Sequence, residues 1–110
     1  MIKTVGLLTR KRGFTHEQFV KHWLEIHAPL ARKVPGLRRY VQNHILGERT
    51  RTDIEATAVE IDGIAELWFD DQAALETASR TPEMKALHAD GALFIGRIKS
   101  YVVEEKTVIG

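Results

Sequence analysis

The sequence of 110 residues contains no cysteine. Disulfides, thiolate nucleophiles, cysteine-ligated zinc and iron–sulfur clusters are therefore excluded. Proline is scarce, at three residues, and aromatic side chains make up 7% of the chain, which excludes collagen-like and proline-rich architectures. An excess of charge is missing too: 16 Lys and Arg stand against 15 Asp and Glu, a net charge of +1. Nucleic-acid binders carry a clear basic excess, so no nucleic-acid partner is expected. No apolar run approaches the ~20 residues of a membrane span, so no membrane partner is expected. The start, Met1 to Arg12, has an apolar stretch too short for a signal-peptide core, and its basic cluster follows that stretch. A cytoplasmic protein is the expectation. What is present is ordinary: 44% hydrophobic and 28% charged residues, enough for one modest core and a single domain over residues 1–110.

Ile2 to Thr9 reads as a strand rich in β-branched and aliphatic residues. Thr15-His16-Glu17-Gln18 has the form of a capping box, and the helix it opens should run to about Arg32. Pro29 lies inside that window, so a kink or an early end near Ala28 is expected. Phe19, Trp23, Ile26 and Leu30 fall within about 60° of one another at helical spacing, which predicts an apolar stripe. Pro35-Gly36 marks a turn, and Leu37 to Leu46 a second strand. Arg49 to Glu60 is polar and unpatterned, a long mobile loop. Gly63 to Phe69 is a third strand. Asp70-Asp71 opens a helix with the narrow apolar face Ala74, Leu75 and Ala78. Thr81-Pro82-Glu83 restarts helix to about Ala89 or Asp90, with Gly91 closing it, and Ile95 to Glu105 is the last strand.

The order βαββαβ predicts an α+β, ferredoxin-like fold, a four-stranded antiparallel sheet with its helices on one face. Leu7 with Leu8, Leu67 with Trp68, and Tyr101 with Val102 put apolar residues at both strand parities. A sheet apolar on both faces needs cover on both, and a second copy of the chain would supply it as a homodimer.

Three phrases occur together and in order: Trp23-Leu24-Glu25-Ile26-His27-Ala28-Pro29-Leu30, Pro35-Gly36-Leu37-Arg38-Arg39-Tyr40-Val41-Gln42-Asn43, and Gly63-Ile64-Ala65-Glu66-Leu67-Trp68-Phe69-Asp70. They resemble the EthD-like family of the dimeric α+β barrel superfamily, over nearly the whole chain. The resemblance implies a homodimer whose two sheets form a barrel with helices outside. Similar proteins include methylmuconolactone isomerases of aromatic catabolism and dehydratases, decarboxylases or cyclases of polyketide pathways. In the isomerase-like members a helix histidine and a strand tyrosine are implicated, and the matching positions are His27 and Tyr40. The methylmuconolactone isomerases also use a cysteine just before the strand-three tryptophan, where this chain has Leu67. That departure weighs against identical isomerase chemistry.

His27 sits one helical turn after Trp23, at the margin of the apolar stripe. It reads either as a proton-transfer group titrating near neutrality or as a structural histidine donating to a carbonyl near Pro29. Tyr40 reads either as a donor to a substrate oxygen or as a core tyrosine with its hydroxyl at the rim. Trp23, Glu66, Leu67 and Trp68 complete the expected substrate-binding set. An acid in an otherwise apolar strand is more often paired, and that is the reading favoured for Glu66. Arg38 and Arg39 point to opposite faces of their strand, either one able to meet a carboxylate or to form an ion pair. His22 lies five residues before His27, about 140° around an α-helix, so the two cannot face one metal from one surface. No metal site and no cofactor are expected. A cofactor-free enzyme follows, catalysing proton transfer on a hydrophobic, oxygenated small molecule. The rivals are a non-catalytic binding protein and a cofactor-free monooxygenase, with haem ligation by His27 a weaker alternative.

Overall fold

In the computed structural model, which describes residues 1–110, the elements are β1 (Ile2–Arg10), α1 (His16–His22), α2 (Ala28–Ala31), β2 (Arg39–His44), β3 (Gly63–Phe69), α3 (Gln72–Ser79), α4 (Pro82–Phe94) and β4 (Ile95–Val103). A π-helical stretch, Trp23–His27, joins α1 to α2. The strands form one antiparallel sheet in the order β2-β3-β1-β4. This is the ferredoxin-like α+β arrangement. No helix is long and apolar enough to cross a membrane.

Local chemistry sets the element boundaries. The Thr15 hydroxyl accepts from the Gln18 amide at 3.1 Å, and the Gln18 side chain accepts from the Thr15 amide at 2.8 Å. Asp71 caps α3 by accepting from the Ala74 amide at 2.8 Å, and Thr81 caps α4 with Pro82 in its first turn. Residues 45–62 form neither helix nor strand, and Arg49 to Glu60 is exposed throughout.

Four expectations need correction. Pro29 does not end the helix, which continues to Ala31. In an α-helical turn the Pro29 ring would press on the Glu25 carbonyl and leave it without a donor. The wider π turn relieves this, with the Ala28 amide donating to the Trp23 carbonyl five residues back. That extra residue shifts the phase of everything after it. His27 takes the inward position at 8% exposure, while Ile26, assigned to the apolar stripe, is 54% exposed. Helix α4 also runs through Gly91 to Phe94, so Gly91 is a buried helical residue and not a cap. The second strand is shorter than expected, starting at Arg39 and ending at His44.

Two apolar clusters lie between sheet and helices. One gathers Ala31, Val34, Phe69, Ala78, Met84 and Leu87; the other gathers Leu8, Phe19, Trp23, Ala65 and Phe94. A gap remains between them because of strand register. Gly6 pairs with Ala65 on one side and Ser100 on the other, so three small side chains sit in a row across the sheet. Large residues flank that row, and the helices cannot close onto it.

Candidate active site

The gap is a cavity of about 540 Å³. Its floor includes Thr4, Gly6, Leu8, Ala65, Leu67 and Ser100, and its roof includes Trp23, His27, Leu87 and Gly91. Tyr40 forms a wall shared with an open groove lined by Leu24, Ala28, Arg32 and Gln42. The mouth lies beside the edge strand β4, where His88, Ala92, Ile98 and Ser100 are exposed. No Lys, Arg, Asp or Glu lines the cavity.

His27 enters this space from the π turn. Its Nδ1 lies 2.7 Å from Oδ2 of the buried Asp90. A carboxylate in contact requires Nδ1 to carry the proton and to donate, which leaves Nε2 with its lone pair. Nε2 makes no hydrogen bond to the protein, and no polar side-chain atom is both fully enclosed and unpartnered, so Nε2 opens onto the cavity. Burial pushes the imidazole below its ordinary value of 6.5, outweighing the opposing pull of Asp90. His27 is thus a neutral base near neutrality.

Tyr40 comes from β2, whose register places it beside Leu67 on the helix side of the sheet. The Gln42 amide donates to the Tyr40 oxygen at 3.0 Å and to the Trp23 carbonyl at 2.8 Å. The His44 Nε2–H donates to the Gln42 carbonyl oxygen at 2.9 Å, which fixes the amide's orientation. With its oxygen already accepting, the Tyr40 hydroxyl is left to donate its own proton. Burial raises its pKa, while the Gln42 and Trp23 donors act the other way, so the phenol keeps its proton.

The structure therefore brings His27, Tyr40, Trp23 and Leu67 together and leaves Glu66 and Trp68 apart. Those two lie on the opposite face, in register with Val5 and Lys3. Glu66 accepts from Lys3 Nζ at 2.7 Å and from the Asn43 amide at 2.9 Å. Trp68 lies between two cations, Lys3 and Arg39, 4.8 and 4.6 Å from its ring centres. Arg38 makes a two-pronged pair with Asp70 at 3.1 and 2.9 Å.

The residues that support the site escaped the sequence reading. Asp90 lies in α4, 63 positions from His27, and only the tertiary fold joins them. Gln42 stood inside a strand with no pattern to single it out. His22 was set aside because an α-helix would turn it away from His27. The π turn removes that objection: residues five apart share a face there, and His22 Nε2 lies 3.0 Å from Oδ1 of the same Asp90.

Comparison with known proteins gives the family. The EthD domain family model matches residues 11–98. The chain belongs to the EthD family. It is 32% identical over 106 residues to a 4-carboxymethyl-4-methylbutenolide mutase of Pseudomonas reinekei, covering 96% of this chain and 98% of that protein. The crystal structure of an EthD-family protein from Bacillus halodurans superposes with a TM-score of 0.77 at 31% identity, covering 96% of this chain and 99% of that one. An Arabidopsis thaliana protein shares the fold with a TM-score of 0.76 at 15% identity, covering 99% of each chain. His27 and Tyr40 of this EthD chain line one cavity that carries no Lys, Arg, Asp or Glu.

Proposed function

We propose that this EthD protein is a cofactor-free enzyme that rearranges a small, hydrophobic, oxygenated molecule by proton transfer, and that a butenolide-type lactone is its substrate class. One observation carries the reading: two groups of opposite role line one uncharged cavity, each held by a polar partner. His27 Nε2 offers a lone pair, held by Asp90; the Tyr40 O–H offers a proton, held by Gln42. The cavity volume falls in the usual range for small-molecule sites. Its lining, without a charged side chain, suits a neutral ring better than a polyanion.

In the proposed cycle, His27 Nε2 removes a proton from the substituent carbon next to the ring carbon that bears the lactone oxygen, and that ring C–O bond breaks with its electron pair leaving on the carboxylate oxygen. The Tyr40 O–H donates a hydrogen bond to that oxygen. Asp90 stabilises the imidazolium through Nδ1–H, as a carboxylate behind a catalytic histidine does. A carboxylate then adds to the opened diene to close the isomeric ring while the imidazolium returns the proton at a second carbon, and His27 is neutral again. Leu67 in place of a cysteine makes an acid–base route with His27 and Tyr40 alone the consistent one.

A homodimer belongs to the same proposal. The sheet face away from the helices carries Val5, Leu7, Val41 and Ile64 with no helix over it, and a second copy would cover it. Sedimentation at micromolar concentration checks the dimer, and a stable monomer refutes it. The enzyme reading is checked by incubating the protein with 4-carboxymethyl-4-methylbutenolide in D₂O and following the lactone by NMR. Isomer formation or carbon-bound deuterium, lost in His27→Ala, supports the reading. A wild-type reaction that shows neither change overturns the substrate class.

A further inference from the structure

Asp90 is a buried carboxylate with no Lys or Arg against it. Its partners are two imidazoles: His27 Nδ1 at 2.7 Å from Oδ2, and His22 Nε2 at 3.0 Å from Oδ1 and 3.2 Å from Oδ2. A buried carboxylate needs donors, so both contacting nitrogens carry protons. The rings are held by aromatic packing. Phe94 lies 4.5 Å from the His22 ring and 5.2 Å from the His27 ring, and the Phe14 edge meets His22 at 6.4 Å.

The two histidines look in opposite directions. His27 lines the interior cavity, whereas His22 lines a shallow groove on the outer surface with Phe14, Gln18, Lys21 and Glu25. We propose that His22 is a positioning residue that acts on His27 through Asp90, completing a His22–Asp90–His27 triad that runs from the outer surface to the cavity. Its Nε2–H takes up one side of the Asp90 carboxylate and leaves the other to fix the His27 ring with Nε2 inward. The charged and titratable groups around the triad are Lys21 and Glu25 beside His22, and Asp90 and His88 from α4 facing His27.

This role rests on the reading of His27 as the base, yet its physical content is measured on the free protein. The experiment follows the His27 Cε1–H resonance against pH in isotopically labelled protein, assigned with His27→Gln. His22→Gln keeps an N–H donor near the same place. It should retain the wild-type His27 midpoint. His22→Phe keeps the ring packing and removes the donor. It should raise the His27 midpoint by about 0.5–1 pH unit, because Asp90 then bonds His27 alone. The acid limb of kcat/KM should move by the same amount.

A His22→Gln midpoint moved as far as that of His22→Phe overturns the proposal. So does a folded His22→Phe protein with an unmoved midpoint. If His22→Phe fails to fold, His22→Leu, which also removes the donor, takes its place. A moved midpoint in a protein that turns over no lactone would fault the substrate class and leave the triad standing. Turnover with an unmoved midpoint would fault the triad alone.

Discussion

Ala65 and Leu67 face the helices along β3, while Glu66 and Trp68, one residue away, face outward. The inward face is neutral, and its polar groups are held at single points: Tyr40 by Gln42, and His27 by Asp90 from above. The outward face satisfies its polar groups by mutual pairing, with Lys3 bridging Glu66 and Glu105 at 2.7 and 2.9 Å and stacking on Trp68. A charge that is fully paired has little left for a ligand. A histidine or phenol held from one side keeps a free atom for one. This difference assigns chemistry to the helix side and cohesion to the other.

The largest test of that assignment is a set of three substitutions. His27→Ala should lower turnover of the lactone by about 10²–10⁴, the usual worth of a general base. Tyr40→Phe should cost about 10–100-fold, since one donor is lost and the ring is kept. Glu66→Gln, which weakens the outward network, should leave kcat/KM within about threefold, the effect of a part-exposed ion pair on a remote site. Steady-state kinetics on folded variants measures all three. If Glu66→Gln costs as much as His27→Ala, the two faces share the chemistry and the contrast fails.

Gly63→Ala strikes the inward face at its packing. A Cβ on Gly63 would stand 2.7 Å from Cη2 of Trp23, well inside contact distance. Trp23 is fully buried and lies against Phe19 and His44, so its ring has nowhere to yield without repacking. The expected loss is about 1–3 kcal/mol, the range for overpacked cores. A lower denaturation midpoint at unchanged m-value is the readout, and unchanged stability would mean that Trp23 is mobile.

Much of this was legible in the sequence because it is local. Caps at Thr15, Asp71 and Thr81, the Pro35-Gly36 turn and the alternation in β3 act within a few residues, and the order of elements follows from them, with strand two shorter and α4 longer than expected. His27, Tyr40, Trp23 and Leu67 were also selected in advance and share one cavity. Three features were missed, the first two because they depend on spacing that a uniform helix or an isolated strand does not carry. The π turn moved His27 inward and Ile26 outward. The small row Gly6, Ala65 and Ser100 exists only in register. Glu66 and Trp68 follow strand alternation away from Leu67, so assigning all three to one site put neighbours on opposite faces together.

A gentler lever is pH. His27 and His44, both on the helix side, have pKa values lowered by burial below the ordinary 6.5. The unfolded chain therefore binds more protons than the folded one between the folded values and 6.5. Their contribution to stability is complete above about 6.5 and is lost as pH falls through the folded values. Denaturation midpoints should decline on acidification through this window, and less steeply in His27→Gln. An equal decline in that variant would place the acid sensitivity elsewhere.

Gly91 offers the smallest and most discriminating test, because it is where stability and cavity conflict. It lies inside α4 with ordinary helical backbone, so its lack of a side chain costs the helix about 0.5–1 kcal/mol relative to alanine. Nothing steric demands glycine there. A Cβ would meet Ile95 Cδ1 at 3.5 Å and His27 Cε1 at 3.7 Å, both ordinary contacts. The retained space lies beside the imidazole that faces the cavity. Gly91→Ala should therefore raise the denaturation midpoint by an amount equivalent to about 0.5–1 kcal/mol. It should also raise KM several-fold by about the volume of a methyl group lost next to His27, with kcat less affected. Stabilisation with unchanged KM would show that substrate does not occupy the space under Gly91, and would move the reacting centre toward the mouth at His88 and Ser100. Destabilisation would show that α4 is held close to His27 by a tighter fit than these distances indicate. The expected combination, a more stable protein with a weaker grip on its substrate, separates cavity from core on the one face of the sheet where both reside.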